Sequence, residues 1–327
     1  MSSIRRITVP IPIRALGSAN VYLIDTGTSR IVVDTGMTAD AIPPILESVG
    51  KERIEYIFLT HLHVDHIGNA SFLRKRFGAS VIIGKGDAER IRQIQSRPDS
   101  FGILLAEVFR ESGVPNEIIR EITESHSLMR NLSTYADFKD DIEVNGELKL
   151  EDGIRLIGNP GHSPGSCSLI IPEDDSIMTG DHVLPGITPN ISFYDKDIDS
   201  LGDYLRSLPA TAKLDITNVY PGHRDPFRGL RNRCNEIFQH HISRLREVYN
   251  IVAKPSTAYE VASKMRWSKG RSLMSMNTTE QNFAIGEAIT HLVHLEKLGA
   301  IERKPVERIF RYQVSGDFPF QVDASIL

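Results

Sequence analysis

Short apolar runs separated by turn residues dominate the first 223 positions of the chain. Ile7 to Ile13 and Val21 to Ile24 have the length and composition of strands. Ile31-Val32-Val33 is a third, reached through the turn Thr26-Gly27-Thr28-Ser29. Ala39 to Val49 switches to helical spacing. A buried strand then covers Ile54 to Leu59, followed by a helix from about Asn69 to Phe77 and a strand from Ser80 to Ile83. Leu148 to Leu150 and Ile154 to Ile157 flank Glu151-Asp152-Gly153 as a hairpin. Ser168 to Ile171 and Ile177 to Thr179 flank Pro172-Glu173-Asp174-Asp175 as another, and Ile216 to Tyr220 is a last strand. Many strands with few long helices between them predict an α+β domain of packed sheets with helices outside.

Two segments break this pattern. From about Gly86 to Asp141 the chain is helical in spacing and rich in Ile, Leu, Phe and Met. This insert reads equally as a pocket wall or as a cap on the core. After Gly229 a long amphipathic helix covers Asn232 to Val252. Ser256 or Thr257 can cap a helix from Tyr259 to Trp267, and Thr278 to Leu298 is another, ending at Gly299. Ala300 to Lys304 and Arg308 to Val314 close the chain as two strands. Helix, helix, hairpin is a winged-helix-like order. The expected division is residues 1–229, with the insert at about 86–141, and residues 230–327.

Charge supports two parts. Residues 1–223 carry 22 Lys+Arg against 31 Asp+Glu, and residues 224–327 carry 16 against 11. A basic C-terminal part admits nucleic acid as a partner, although most such charges are simply solvated. With 327 residues and 40% hydrophobic composition, a sizeable core is possible. No apolar run approaches a membrane span of about 20 residues. The start, Met1-Ser2-Ser3-Ile4-Arg5-Arg6, lacks the apolar stretch of a secretory signal. Cys167 and Cys234 stand far apart with no CxxC spacing, which suits a reducing cytoplasm. No membrane partner is expected.

The chemistry concentrates at strand ends. Thr60-His61-Leu62-His63-Val64-Asp65-His66 follows the Ile54–Leu59 strand and packs four metal-competent side chains into six residues. Asp34 follows Val32-Val33. His162 sits in Asn159-Pro160-Gly161-His162, Asp181 in Thr179-Gly180-Asp181, and His223 in Tyr220-Pro221-Gly222-His223. Imidazoles with carboxylates form a donor set for zinc, iron or manganese. A glycine before each of the last three lets the chain turn toward a shared centre.

This ordered series resembles the metallo-β-lactamase superfamily, its glyoxalase II-like hydrolases most closely, over about residues 7–226. With the insert and the C-terminal unit, the layout is similar to the β-lactamase-like protein 2 family. The resemblance implies an αββα sandwich with a dinuclear site at one edge of the sheets. His61, His63 and His162 would hold one ion and Asp65, His66 and His223 the other, with Asp181 bridging. Asp34 would orient the histidine loop, and Asp65 could also accept a proton. Two divalent ions are implied, zinc first, with iron or manganese also suited. A bridging hydroxide would then attack a small acyl substrate, a thioester or ester, or a lactone. A single-strand endoribonuclease is the first competing reading. A DNA-binding regulator with a metal-containing sensor domain is the second. No glutathione-recognition pattern is evident, so a glyoxalase II substrate does not follow.

Other residues carry weaker signals. His182, beside Asp181, could lend a proton or hydrogen bond, although a structural role is favoured. Tyr194 could reach substrate but reads more as a packing aromatic. His126 reads as polar only. His240, His241, His291 and His294 lack partners in the ligand series. Arg303, Lys304, Arg308 and Arg311 flank the predicted wing, where phosphate contact or a dimer interface would both fit, so a homodimer is compatible with the C-terminal helices.

Overall fold

In the computed structural model, residues 2–12, 17–150, 153–195 and 197–320 are described. Two six-stranded sheets organise residues 3–228. The first runs β1 (Ser3–Pro10), β2 (Ser18–Asp25), β3 (Arg30–Val33), β4 (Tyr56–Phe58), β5 (Ser80–Gly84) and β6 (Ile142–Val144) in spatial order. Its first two pairings are antiparallel and the last three parallel. Helices α1 (Ile42–Val49), α2 (Val64–Ile67), α3 (Ala70–Phe77) and α4 (Lys85–Ser96) lie within this stretch, and α1, α3 and α4 pack on the sheet. That cover explains why β2 is buried at nearly every position and does not alternate. The expected first strand reached Ile13, which lies outside the described residues.

After α5 (Ser100–Glu111), α6 (Asn116–Ser125), α7 (Ser127–Arg130) and α8 (Leu132–Ala136), the chain builds the second sheet. Its strands are β7 (Glu147–Lys149), β8 (Arg155–Gly158), β9 (Cys167–Ile171), β10 (Ser176–Gly180), β11 (Asn218–Pro221) and β12 (Phe227–Arg228), in reversed spatial order. All its pairs are antiparallel except β10–β11. Both expected hairpins are present as β7–β8 and β9–β10. Glu151 and Asp152 of the first turn lie outside the described residues. Between the sheets Tyr22, Ile31, Phe58 and Ile82 meet Leu156, Leu169 and Met178. This apolar layer fixes the strand ends from which the site is built.

The remaining elements are α9 (Ser200–Ala212), α10 (Leu230–Ile251), α11 (Ala258–Lys264), α12 (Thr278–Lys297), β13 (Ile301–Val306) and β14 (Ile309–Val314). Helix, helix and antiparallel pair follow in the expected order. The chain forms two compact units. One comprises residues 1–98, 131–189 and 203–236, and the other residues 99–130, 190–202 and 237–327. This partition is not a single cut at Gly229. The middle of the insert, α5 to α7, groups with the C-terminal residues because α6 lays its buried face, Ile119 and Ile122, on α12. Among the described residues no helix is long and apolar enough to cross a membrane. Both cysteines are buried and unpaired.

Candidate metal centre

Parallel β3 and β4 end side by side, which brings Asp34 beside the loop that leaves β4. Asp34 stands just after β3 with φ 60°, in the left-handed region. Its carboxylate accepts from the Thr60 backbone N–H at 2.8 Å and from the Thr60 hydroxyl at 2.9 Å. It also accepts from His66 Nδ1 at 2.7 Å. The Thr60 hydroxyl has given its proton to Asp34, so it accepts from His61 Nδ1 at 3.0 Å. His223 Nδ1 donates to the Ser18 carbonyl at 2.7 Å. Each tie engages Nδ1 and leaves Nε2 of His61, His66 and His223 turned toward the centre.

The ring nitrogens and carboxylates at the centre converge in two groups. His61 Nε2 lies 3.0 Å from His63 Nδ1, and His162 Nε2 lies 3.1 Å from the same atom. Asp65, His66 and His223 form the second group. His223 Nε2 is 3.4 Å from both Asp65 and Asp181. Asp181 also approaches His66 at 3.7 Å and His162 at 3.8 Å, so it faces both groups. His61, His66 and Asp181 can likewise converge on one point. All seven side chains named as ligands in the sequence are brought together.

Local backbone makes this convergence feasible. Gly161 and Gly180 have positive φ, 136° and 50°. Gly222 has no such φ; there a Cβ would sit 2.5 Å from Asp181 Oδ1 and 2.8 Å from a His66 ring carbon. Its need is for space, not for a left-handed turn.

The electrostatics separate the groups. Burial, then crowding by other imidazoles, pushes His61 well below the usual range and His63 down to about 3. Burial opposes charge on His66, yet Asp34, Asp65 and Asp181 hold it up at about 9. Burial likewise opposes charge on His223, but Asp181 and Asp65 raise it to about 11. Asp65 is held down at about 2 against its burial, by His66 and His223, and Asp181 lies well below the carboxylate range for the same reason. His66 Nε2, His223 Nε2 and Asp181 Oδ1 are buried without a hydrogen bond. Buried atoms of this kind ask for a partner. A divalent cation fits both groups. It would replace protons that the carboxylates otherwise hold on His66 and His223. It would also satisfy these three atoms, of which His66 Nε2 and Asp181 Oδ1 lie 3.7 Å apart.

His182 is not part of this convergence. Its Nε2 bonds the Thr211 hydroxyl at 2.9 Å, its ring packs edge-on against Tyr204, and the Tyr204 hydroxyl donates to its carbonyl at 2.6 Å. Burial pushes it down to about 3. Asp34 likewise faces the loop and not the converging atoms. Tyr194 and His126 belong to the other unit, where Tyr194 is buried and His126 packs on Phe101. Sequence reasoning missed Thr60 and Ser18, which tie His61 and His223 in place. Of these, only Thr60 carried a signal, its place just before the histidine motif.

Comparison with known proteins agrees with this geometry. Residues 14–223 match the family described as the metallo-beta-lactamase superfamily, and residues 245–315 match a metallo-beta-lactamase-like C-terminal domain. The chain is 27% identical to lactamase-like protein aptB of Emericella nidulans over 76% of its own length and 64% of that protein's. It thus spans less than two thirds of this relative. It is 24% identical to the beta-lactamase-like protein 2 homolog of Caenorhabditis elegans over 88% of the chain and 79% of the relative. A crystal structure of a metallo-beta-lactamase family protein from Thermus thermophilus superposes with TM-score 0.78 at 25% identity, covering 95% and 98% of the two chains.

Proposed function

The chain belongs to the metallo-β-lactamase superfamily of metal-dependent hydrolases, and we propose that it binds two divalent ions, zinc first among them, and cleaves a small acyl substrate, a thioester or ester. The observation that carries this reading is the pair of ligand groups, His61/His63/His162 and Asp65/His66/His223, with Asp181 facing both. When bound, two divalent ions would supply Lewis acidity at the carbonyl oxygen and lower the pKa of water toward about 7.

The chain's own residues set the conditions for that chemistry. Three neutral imidazoles in the first group leave a bound cation's charge undiminished. Asp65 in the second group and Asp181 facing both offset part of the charge and can take up a proton. Asp34 and Thr60 engage Nδ1 of His66 and of His61. The reading uses no proton transfer by His182, which is committed to Thr211.

Nucleic acid is the less favoured partner. Of the four basic residues on β13, β14 and the turn between them, Arg303 pairs with Glu296 at 3.1 Å, Lys304 with Glu302 at 2.9 Å and Arg311 with Glu260 at 3.1 Å. Charges neutralised within their own unit contribute little to phosphate binding.

The test is metal content by mass spectrometry of the purified protein, with parallel assays on acyl-thioesters, esters, lactones and a labelled single-stranded RNA. About two ions per chain and thioester or ester turnover are expected. His63→Ala and Asp181→Ala should each abolish turnover, by at least about a thousandfold, and lose at least one ion. RNA cleavage abolished by His63→Ala would replace this reading with the nuclease. Full metal content and rate in either variant would refute the ligand assignment.

A further inference from the structure

Part of the insert supports the site from behind. β4 and β5 are parallel neighbours, so the histidine loop leaving β4 and helix α4 beginning after β5 emerge at the same edge. Asp87, in the first turn of α4, is completely buried. Its Oδ2 accepts from the Leu62 backbone N–H at 2.8 Å and from the Ser163 hydroxyl at 2.7 Å. Its Oδ1 accepts from the Gly165 N–H at 2.7 Å. Leu62 stands between His61 and His63, and Ser163 follows His162. The Ser163 hydroxyl, having donated to Asp87, accepts from Ser166 at 2.8 Å. The Tyr135 hydroxyl of α8 donates to the Leu62 carbonyl at 3.2 Å, so both polar groups of that residue's backbone are held by the insert. A Cβ on Gly84 or Gly165 would overlap backbone of the facing segment, and one on Gly86 would crowd the Pro164 carbonyl. The start of α4 and the Pro164-Gly165 turn therefore lie backbone against backbone.

We propose that Asp87 is the positioning residue of the three-imidazole group: one buried carboxylate ties together the two loops that carry His61, His63 and His162, and so sets how tightly that group holds a divalent ion. This rests on the metal reading given above. Asp87 touches no ligand ring; it acts through Leu62, Ser163 and Gly165. Asp34 holds His66 directly and His61 through Thr60, whereas the bonds of Asp87 run to the two loops of the three-imidazole group. Groups that orient metal ligands change affinity by about 10- to 100-fold when removed. A carboxylate that merely anchored a helix start would change stability and leave metal affinity alone.

Stepwise cobalt(II) titration, followed by visible absorption with a competing chelator, separates these roles. Asp87→Asn keeps the shape but turns an NH2 toward a backbone N–H or the Ser163 hydroxyl. Ser163→Ala removes a single bond and covers the case in which Asp87→Asn does not fold. One binding step is expected to weaken about 10- to 100-fold in Asp87→Asn, with an altered cobalt spectrum, while the other stays within about threefold. Ser163→Ala should weaken the same step by less, and Asp87→Glu should recover part of the loss. Two cobalt ions bound with unchanged affinity and spectrum in both variants would overturn this proposal while leaving the metal reading intact. Equal weakening of both steps would also overturn it. A wild-type chain that binds no cobalt would overturn the metal reading and this proposal with it.

Discussion

At the scale of single residues, the ligands were legible because their chemistry is local. His61-x-His63-x-Asp65-His66 announces itself by spacing, and the other ligands follow glycines at strand ends. Their supports were not legible. Asp87 looks like any acidic residue in the first turn of a helix, a favourable place on electrostatic grounds alone. Only the pairing of β5 beside β4 turns it toward Leu62. Ser18 contributes a carbonyl, which every residue has. Asp34 was legible as a support, but not the cost of its place. At φ 60° a side chain is strained, and Asp and Asn tolerate this best. Asp34→Asn therefore isolates the carboxylate, because the backbone preference is kept. The variant should fold, with the affinity of the His66 group down about 10- to 100-fold and turnover reduced to match. Asp34→Ala should add about 1–2 kcal/mol of destabilisation, since alanine lacks that tolerance. Isothermal titration with zinc and a thermal melt check both parts, and an Asp34→Asn protein with unchanged zinc affinity would remove Asp34 from the site.

At the scale of elements, the strands followed from apolar runs, and the two hairpins from their turn residues. Ends were less exact. The sequence offered Ser256 or Thr257 as the cap of α11, and tertiary pairing decides between them. Ser256 is taken by a backbone bridge to Tyr312. Thr257 accepts from the Glu260 N–H at 3.1 Å, and the Glu260 carboxylate accepts from the Thr257 N–H at 3.1 Å. Arg311 of β14 grips the same carboxylate through two nitrogens at 3.1 Å each, so the cap also joins helix to strand. Glu260 is held below the usual carboxylate range although burial works against it, through its bonds to Thr257 and Arg311. Thr257→Ala should cost about 1 kcal/mol, or roughly 2–4 °C in melting temperature. Hydrogen exchange should speed up in α11 while metal content stays at the wild-type value. Loss of metal in this variant would show that the cap serves more than its own unit. Glu260's depressed pKa adds stability that is present above the unfolded carboxylate range and lost as pH falls through the folded value. Thr257→Ala keeps the backbone N–H that binds this carboxylate, so its deficit should persist in acid, whereas the deficit of Glu260→Gln should shrink there.

At the scale of the whole molecule, a linear reading of the sequence misleads most, because it divides the chain into consecutive pieces. The insert reads as one segment, a pocket wall or a cap, and residues 230–327 as a separate winged-helix-like unit. In the structure α4 and α8 belong with the metal-binding unit, while α5 to α7 belong with the C-terminal residues. Periodicity reports which face of a helix is apolar and is silent on what covers it. Within the second unit, Thr290 bonds the Ile191 carbonyl, His294 bonds Asp199, and the Tyr259 N–H bonds the Ser112 carbonyl. Three stretches remote in sequence thus share one set of contacts. A chain ended at Gly229 would lose most of that set and would leave Phe101, Leu105, Val108, Phe109, Ile119 and Ile122, all buried in the full chain, without their partners. Exposing six such side chains forfeits about 1.5–3 kcal/mol for each fully uncovered group and creates an apolar patch prone to association. The shortened chain should therefore aggregate or bind a hydrophobic dye strongly, and its metal content should fall only as far as the protein loses its fold. Size-exclusion chromatography beside metal analysis reads both. A monomeric, dye-silent fragment with normal metal would mean that α5 to α7 find cover within the first unit, and the two-unit division would have to be redrawn.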